Sequence, residues 1–283
     1  MVPLSMEDPM SVSVETVRFG PHESYQALLA LPPHPDAARP LPAVLLIQEA
    51  WGVDEHMADL AHRLAAAGYA VLAPDLFAPQ GRRKPGLEAE PVAAAKAWME
   101  QLPPGAWMDP AKREAAVAAG GEAAQRASAT LGLIFGSLGP DQQIHLDILQ
   151  SGLAYLREDQ PATAGGRVVS VGFCMGGSLS GQLACLDPAL AGSVIFYGSA
   201  PERGKLAAIA CPVLAMYGET DTRLTAGLPD FEKGMAEEGK DLEVQVFPGA
   251  GHAFLNDTRA SFHAAAARQA WARLLGFLAG VLA

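Results

Sequence analysis

A cysteine stands where a run of strand-forming residues gives way to glycines: Val168 to Phe173 leads into Cys174, and Met175, Gly176 and Gly177 follow. The stretch Gly172-Phe173-Cys174-Met175-Gly176 has a nucleophile at its centre, separated from a glycine by one residue on each side. Its logic is steric. A nucleophile on a sharp strand-to-helix turn sits in strained backbone, and small neighbours are needed because the chain passes close by. The helix that follows points its free N–H groups at the sulfur, where they favour a thiolate and a developing oxyanion. The rival explanation is a packing cysteine before a glycine-rich turn. Such a cysteine would be equally at home inside the strand.

A nucleophile needs a base. His252 lies in Gly249-Ala250-Gly251-His252-Ala253-Phe254, a glycine-rich loop between the last strand-like run and the last helix-like run. The carboxyl end of a strand is where α/β enzymes keep reacting groups. The other histidines are weaker candidates: His56, His62, His145 and His263 fall on expected surface helices, and His22 and His34 in loops. His56 and His62 are six apart, which does not set two metal ligands on one helical face, so no metal site is expected. The base needs an orienter, and Asp221 in Gly218-Glu219-Thr220-Asp221 again follows a strand-like run. A carboxylate there could fix the imidazole tautomer and steady its charged form. The order Cys174, Asp221, His252 is the nucleophile–acid–histidine order of α/β-hydrolases. Glu49 ends another strand-like run, where a turn or helix-start role is as reasonable as a chemical one.

The elements that must carry these residues alternate. Val12 to Phe19 and Tyr25 to Leu31 read as two early strands about a Gly20-Pro21 turn, and Pro32 to Pro42 as a loop. Ala43 to Gln48 is a short continuous apolar run, the mark of a strand buried on both faces. Asp54 to Ala67 has helical spacing, with Asp54 as cap and Gly68 as stop. Strands are expected at Tyr69 to Ala73, Arg167 to Val171, Ser193 to Tyr197, Pro212 to Tyr217 and Leu242 to Phe247. Helices are expected at Met175 to Leu186, Leu228 to Glu238 and Ala260 to Leu278. Such alternation predicts a mostly parallel sheet covered on both faces, in one α/β domain spanning 1–283. Between Glu88 and Leu156 only helical, Ala-rich sequence appears, broken at Pro103-Pro104-Gly105, Gly120-Gly121 and Gly139-Pro140. Part of it, about 101–141, reads as a helical insertion that covers something.

Composition excludes some functions. The net charge of −11 argues against a nucleic-acid partner, which would want a basic face. No apolar run reaches the ~18 residues of a membrane span, and Met1 to Met10 carries Glu7 and Asp8 and lacks the pattern of a secretory signal. Three cysteines, Cys174, Cys185 and Cys211, give no disulfide framework and point to a reducing, cytoplasmic compartment.

Taken together, QEAWG (48–52), APDLFAP (73–79), GFCMGG (172–177), GETD (218–221) and GHAFLNDTR (251–259) make the chain resemble the dienelactone hydrolase (carboxymethylenebutenolidase) family of α/β-hydrolases. The resemblance implies a Cys174–His252–Asp221 triad and no cofactor. It implies that Glu49 partners the thiol, which rests protonated and turned away until substrate enters. It also implies an oxyanion hole from the backbone N–H groups of Met175 and Ala50, and an ester or lactone cleaved through a thioester. Residues in or near the motifs, Trp51, Phe77, Arg82, Arg83, Ala253, Phe254 and Asn256, are the candidate substrate contacts. The family holds a substrate carboxylate with two arginines. One position is Asn256 here, and the stretch Glu88 to Trp98 that matches the other has no Arg. Losing a bidentate clamp is not a conservative change, so neutral small esters or lactones are expected to be preferred. Two alternatives stand: an anionic dienelactone held by Arg82 or Arg83, and a non-catalytic binding protein on a hydrolase scaffold.

Overall fold

Alternation along each strand builds two cores. In a computed structural model of the chain, described at residues 11–33, 39–103, 105–137 and 139–283, Ser13–Phe19 (β1) and Tyr25–Leu31 (β2) pair antiparallel across the turn at Gly20-Pro21. Ala43–Ile47 (β3), Ala70–Pro74 (β4), Val168–Phe173 (β5), Gly192–Phe196 (β6) and Val213–Gly218 (β7) are buried at every residue. Leu242–Phe247 (β8) forms the far edge. The order across the sheet is β1-β2-β4-β3-β5-β6-β7-β8. β2 meets β4 antiparallel, and every pairing from β4 to β8 is parallel. This is the α/β-hydrolase fold expected from the motif order.

Strand periodicity of two sends Val44 and Leu46 to one face and Leu45 and Ile47 to the other. The first face packs on Glu55–Ala66 (α1) and, at the chain's end, on a long helix whose Ala266, Ala270, Leu274 and Leu278 recur every four residues. In α1 the Asp54 side chain accepts from Met57 N at 3.1 Å, and Gly68, at φ 99°, turns the chain out. The middle of the chain is helical throughout. It holds Ala89–Glu100 (α2), Pro110–Ser137 (α3) and Gln142–Ala154 (α4). Gly121, at φ 62°, breaks α3 where the sequence has Gly120-Gly121. The second face of the sheet takes α4, Met175–Leu186 (α5) and Leu228–Glu237, which follows the short turn Thr222–Thr225 (α6) and is α7; the terminal helix Ala264–Leu282 is α8.

Three expectations for histidines are corrected. His56 and His145 are 2 % and 3 % exposed, not on helix surfaces. His56 lies four residues before Leu60 and so shares the inward face of α1. His145 is buried on α4 beside Leu146 and Leu149. His263 precedes α8, which starts four residues later than the sequence suggests, and its Nδ1 accepts from Ala266 N at 3.2 Å. Met1 to Met10, His34 to Ala38 of the proline-rich loop, and Pro104 lie outside the described residues. Among those described, no helix is long and apolar enough to cross a membrane.

Candidate active site

Cys174 begins α5 with φ 55° and ψ −116°, a left-handed conformation that costs a non-glycine residue energy and persists only where surroundings enforce it. Its N–H is held by Phe196 O at 2.9 Å. The close approach depends on glycine. A Cβ on Gly172 would stand 1.9 Å from Gly176 O, and one on Gly176 would stand 2.4 Å from Ile47 O. The turn therefore lets the start of α5 sit directly on the ends of β3 and β5, with its first N–H groups beside the sulfur.

The three residues read from the sequence meet at the carboxyl ends of their strands. His252 Nε2 lies 3.2 Å from Cys174 Sγ, and His252 Nδ1 lies 2.6 Å from Asp221 Oδ2. A proton on Nδ1 donates to the carboxylate, which leaves Nε2 facing the sulfur. Burial alone would push the imidazole's pKa down. The bond to Asp221, the bond to Cys174 and the charges of both outweigh it and raise the pKa to about 10. Ala253, next to His252, is also left-handed at φ 59°.

Glu49 is 2 % exposed and sits behind this chain. It does not cap α1; Asp54 does. Its Oε1 accepts from Tyr197 Oη at 3.0 Å, and its Oε2 from Asn256 Nδ2 at 2.8 Å. The Asn256 amide is oriented by its far side, where Oδ1 accepts from Thr258 N at 3.0 Å and from Thr258 Oγ1 at 2.7 Å. Tyr197 has φ 39°, and its ring centre is 5.2 Å from that of His252. Burial, then the Glu49 charge, hold its phenol well above the ordinary range, so it stays a donor. Among the described residues the sulfur's hydrogen-bond partner is His252, where the resemblance placed Glu49 beside the resting thiol.

A cavity of about 760 Å³ opens over Cys174 and His252, with Ala50 and Met175 in its floor. Of the expected substrate contacts, Trp51 lines it. The others do not. Phe77 is packed under α2 and α3 with Trp51 and Leu131. Arg83 is bound to Asp75 at 2.7 Å and to Val53 O at 3.1 Å, and Arg82 faces a separate surface hollow. Ala253 and Phe254 are core residues, Phe254 packing on Tyr197 at 5.5 Å between ring centres, and Asn256 serves Glu49. Sequence reasoning missed Tyr197, Arg223 and Arg259. Tyr197 had a signal, since it ends a strand-like run just before Gly198. Arg223, two residues past Asp221, lines the cavity and is exposed; Arg259 lines it while its guanidinium grips Glu100 at 2.5 and 2.8 Å.

Comparison with known proteins shows the family. The family model described as "Dienelactone hydrolase family" matches residues 25–282. A protein of Saccharolobus solfataricus named "Putative carboxymethylenebutenolidase" is 33% identical over 254 residues, covering 89% of this chain and 93% of its own. A Bradyrhizobium protein named "Probable 2-oxo-3-(5-oxofuran-2-ylidene)propanoate lactonase" is 26% identical over 282 residues, covering 95% of this chain and 94% of its own. The crystal structure of a Klebsiella pneumoniae protein described as "Putative Dienelactone Hydrolase" superimposes with a TM-score of 0.68 at 24% identity, over 95% of this chain and 99% of that one.

Proposed function

The chain belongs to the dienelactone hydrolase family and is an ester or lactone hydrolase, and from that premise we propose that it works as a cysteine hydrolase through Cys174, His252 and Asp221. The observation that carries the reading is the unbroken chain of contacts, 2.6 Å from Asp221 to His252 and 3.2 Å on to Cys174, at the floor of the cavity. In the proposed reaction the thiol proton passes to Glu49, and the Cys174 thiolate pairs with His252 protonated on both ring nitrogens. The thiolate attacks the carbonyl carbon, and the carbonyl oxygen takes up the negative charge. The N–H groups of Met175 and Ala50 donate to that oxygen, each worth about 3 kcal/mol of barrier. The tetrahedral species collapses as His252 gives its proton to the leaving alkoxide, which leaves the acyl group on sulfur as a thioester. Water then attacks the thioester with His252 as base, and the acid and the thiol are released. Glu49 is assigned to the thiol's proton in the resting enzyme: it is the buried carboxylate next to Tyr197, whose ring adjoins His252. The helices around 101–141 are assigned as a cap on a single 1–283 domain. The three unpaired cysteines suit a cytoplasmic setting.

The test is Cys174→Ala, which abolishes ester hydrolysis, set against Cys185→Ala and Cys211→Ala, which leave it intact. Burial raises both of the other thiols, Cys211 to about 11, so neither competes near neutral pH. Turnover that survives in Cys174→Ala overturns the mechanism.

A second reading, an anionic substrate, is favoured by Arg223. It is exposed at the cavity, and among the described residues it has no ion-pair partner. Neutral substrates remain the proposal because Arg259 is already matched by Glu100 and an exposed guanidinium contributes little.

A further inference from the structure

The cavity is larger and more aromatic than a monocyclic lactone requires. Its volume, about 760 Å³, falls within the roughly 300–1,000 Å³ of sites that take drug-sized ligands. The side made by α2, α3 and the turn between them is a wall of rings. Trp51 meets Phe135 edge-on at 6.4 Å between centres and 81°, and Phe135 lies 6.1 Å from Trp107. Those are spacings at which aromatic rings attract one another, and a further ring placed among them gains the same contacts. The wall is braced. Trp98 backs Trp107 edge-on at 6.2 Å, the Arg113 guanidinium lies 5.2 Å from the Trp107 ring centre, and Arg259 lies 5.5 Å from that of Trp51. Leu131 and Ile134, fully buried in the same cluster, anchor α3. Leu133 points outward at 47 % exposure, so the apolar run of α3 divides between anchor, surface and cavity. Trp107 and Phe135 themselves are only half-buried and face the void. Bracing of this kind fixes two aromatic surfaces without covering them.

We infer that the cavity binds esters carrying an aryl group, and that Trp107 and Phe135 set this preference by packing on the aryl ring. The inference names the substrate class of the hydrolase proposed above and rests on that reading. Its test does not need turnover. The Cys174→Ala protein is equilibrated with ethyl 3-phenylpropanoate, ethyl propanoate and ethyl nonanoate, and each Kd is measured by equilibrium dialysis. Ethyl nonanoate matches the aryl ester in carbon count and separates ring packing from general lipophilicity. The aryl ester is expected to bind at least tenfold tighter than ethyl propanoate and tighter than ethyl nonanoate. Adding Trp107→Leu or Phe135→Leu should cut that advantage at least fivefold. Leucine keeps apolar volume, and thermal unfolding shows which double variants are folded. Equal affinity for the three esters, a preference for ethyl nonanoate, or an aryl advantage intact in both folded variants overturns the inference. Loss of the hydrolase reading shows separately, as ester turnover that is absent in the unaltered protein or survives Cys174→Ala.

Discussion

Glu49 meets two hydrogen-bond donors and, among the described residues, no ion-pair partner, and that arrangement predicts its mutant behaviour. In Glu49→Gln, whichever way the amide is turned, its NH₂ group faces either Tyr197 Oη or Asn256 Nδ2, so one buried donor loses its acceptor. The expected cost is about 1–3 kcal/mol of stability, read from the urea midpoint. The rate of Cys174 alkylation should change with it; if neither moves, Glu49 has no part in the site. His252 makes a prediction in pH. Its pKa is raised from 6.5 to about 10 in the folded protein. A raised pKa stabilises the fold fully below 6.5, and that contribution is lost as pH climbs toward 10. In Cys174→Ala two of the raising influences disappear, the hydrogen bond and the charge of Cys174. The decline should then still set in near 6.5 but end at lower pH and be smaller, read from thermal unfolding between pH 6.5 and 10. An unmoved decline would show that Cys174 does not act on the imidazole. The meeting of Cys174, His252 and Asp221 was legible because each follows a strand end. Asn256 was legible only as an absence of Arg, since its partner Glu49 is 207 residues away in the chain and no local pattern announces such a pair. His56 was misread because its inward direction depends on Leu60 and Leu64, not on its immediate neighbours.

The strands and helices of the sheet were readable to within a few residues because their burial patterns are local. The helices between Glu88 and Leu156 were readable with their breaks at glycine and proline, but the attachment of α2 was not, because it is made of pairs distant in sequence. Lys96 of α2 reaches Asp54 at 2.8 Å and Thr258 Oγ1 at 2.7 Å, and Glu100 takes Arg259 and, at 3.2 Å, Ala260 N. Thr258 is also the residue that orients Asn256. The latch thus joins α2 to the loop that carries His252 and, through Asn256, to Glu49. Removing it with Lys96→Met and Glu100→Gln should loosen α2 over the cavity. A bulky maleimide should then alkylate Cys174 several-fold faster, while iodoacetamide, small enough to enter already, changes little. Equal acceleration of both reagents would mean the latch acts on the thiol itself and not on access.

At the scale of the whole molecule, charge decides which substrates arrive and which stay. The net charge of −11 repels anions at a distance, and salt at physiological strength screens that repulsion beyond about 8 Å. Inside the cavity the two guanidiniums are unequal. Arg259 is held by Glu100 and turned over Trp51, whereas Arg223 is exposed and, among the described residues, without an ion-pair partner. A substrate carboxylate would therefore meet one solvated cation in place of a two-armed clamp, and would carry its own desolvation cost into an aromatic chamber. A neutral aryl ester is expected to exceed its carboxylated analogue in kcat/KM at the same pH. If the anion wins by tenfold, which is about 1.4 kcal/mol of transition-state binding, the neutral preference is wrong and Arg223 is the group to replace. Salt separates the causes. If repulsion by the whole molecule limits the anion, its kcat/KM rises with ionic strength while that of the neutral ester stays flat. If Arg223 draws the anion in, its kcat/KM falls with salt, and Arg223→Gln removes both the advantage and the fall.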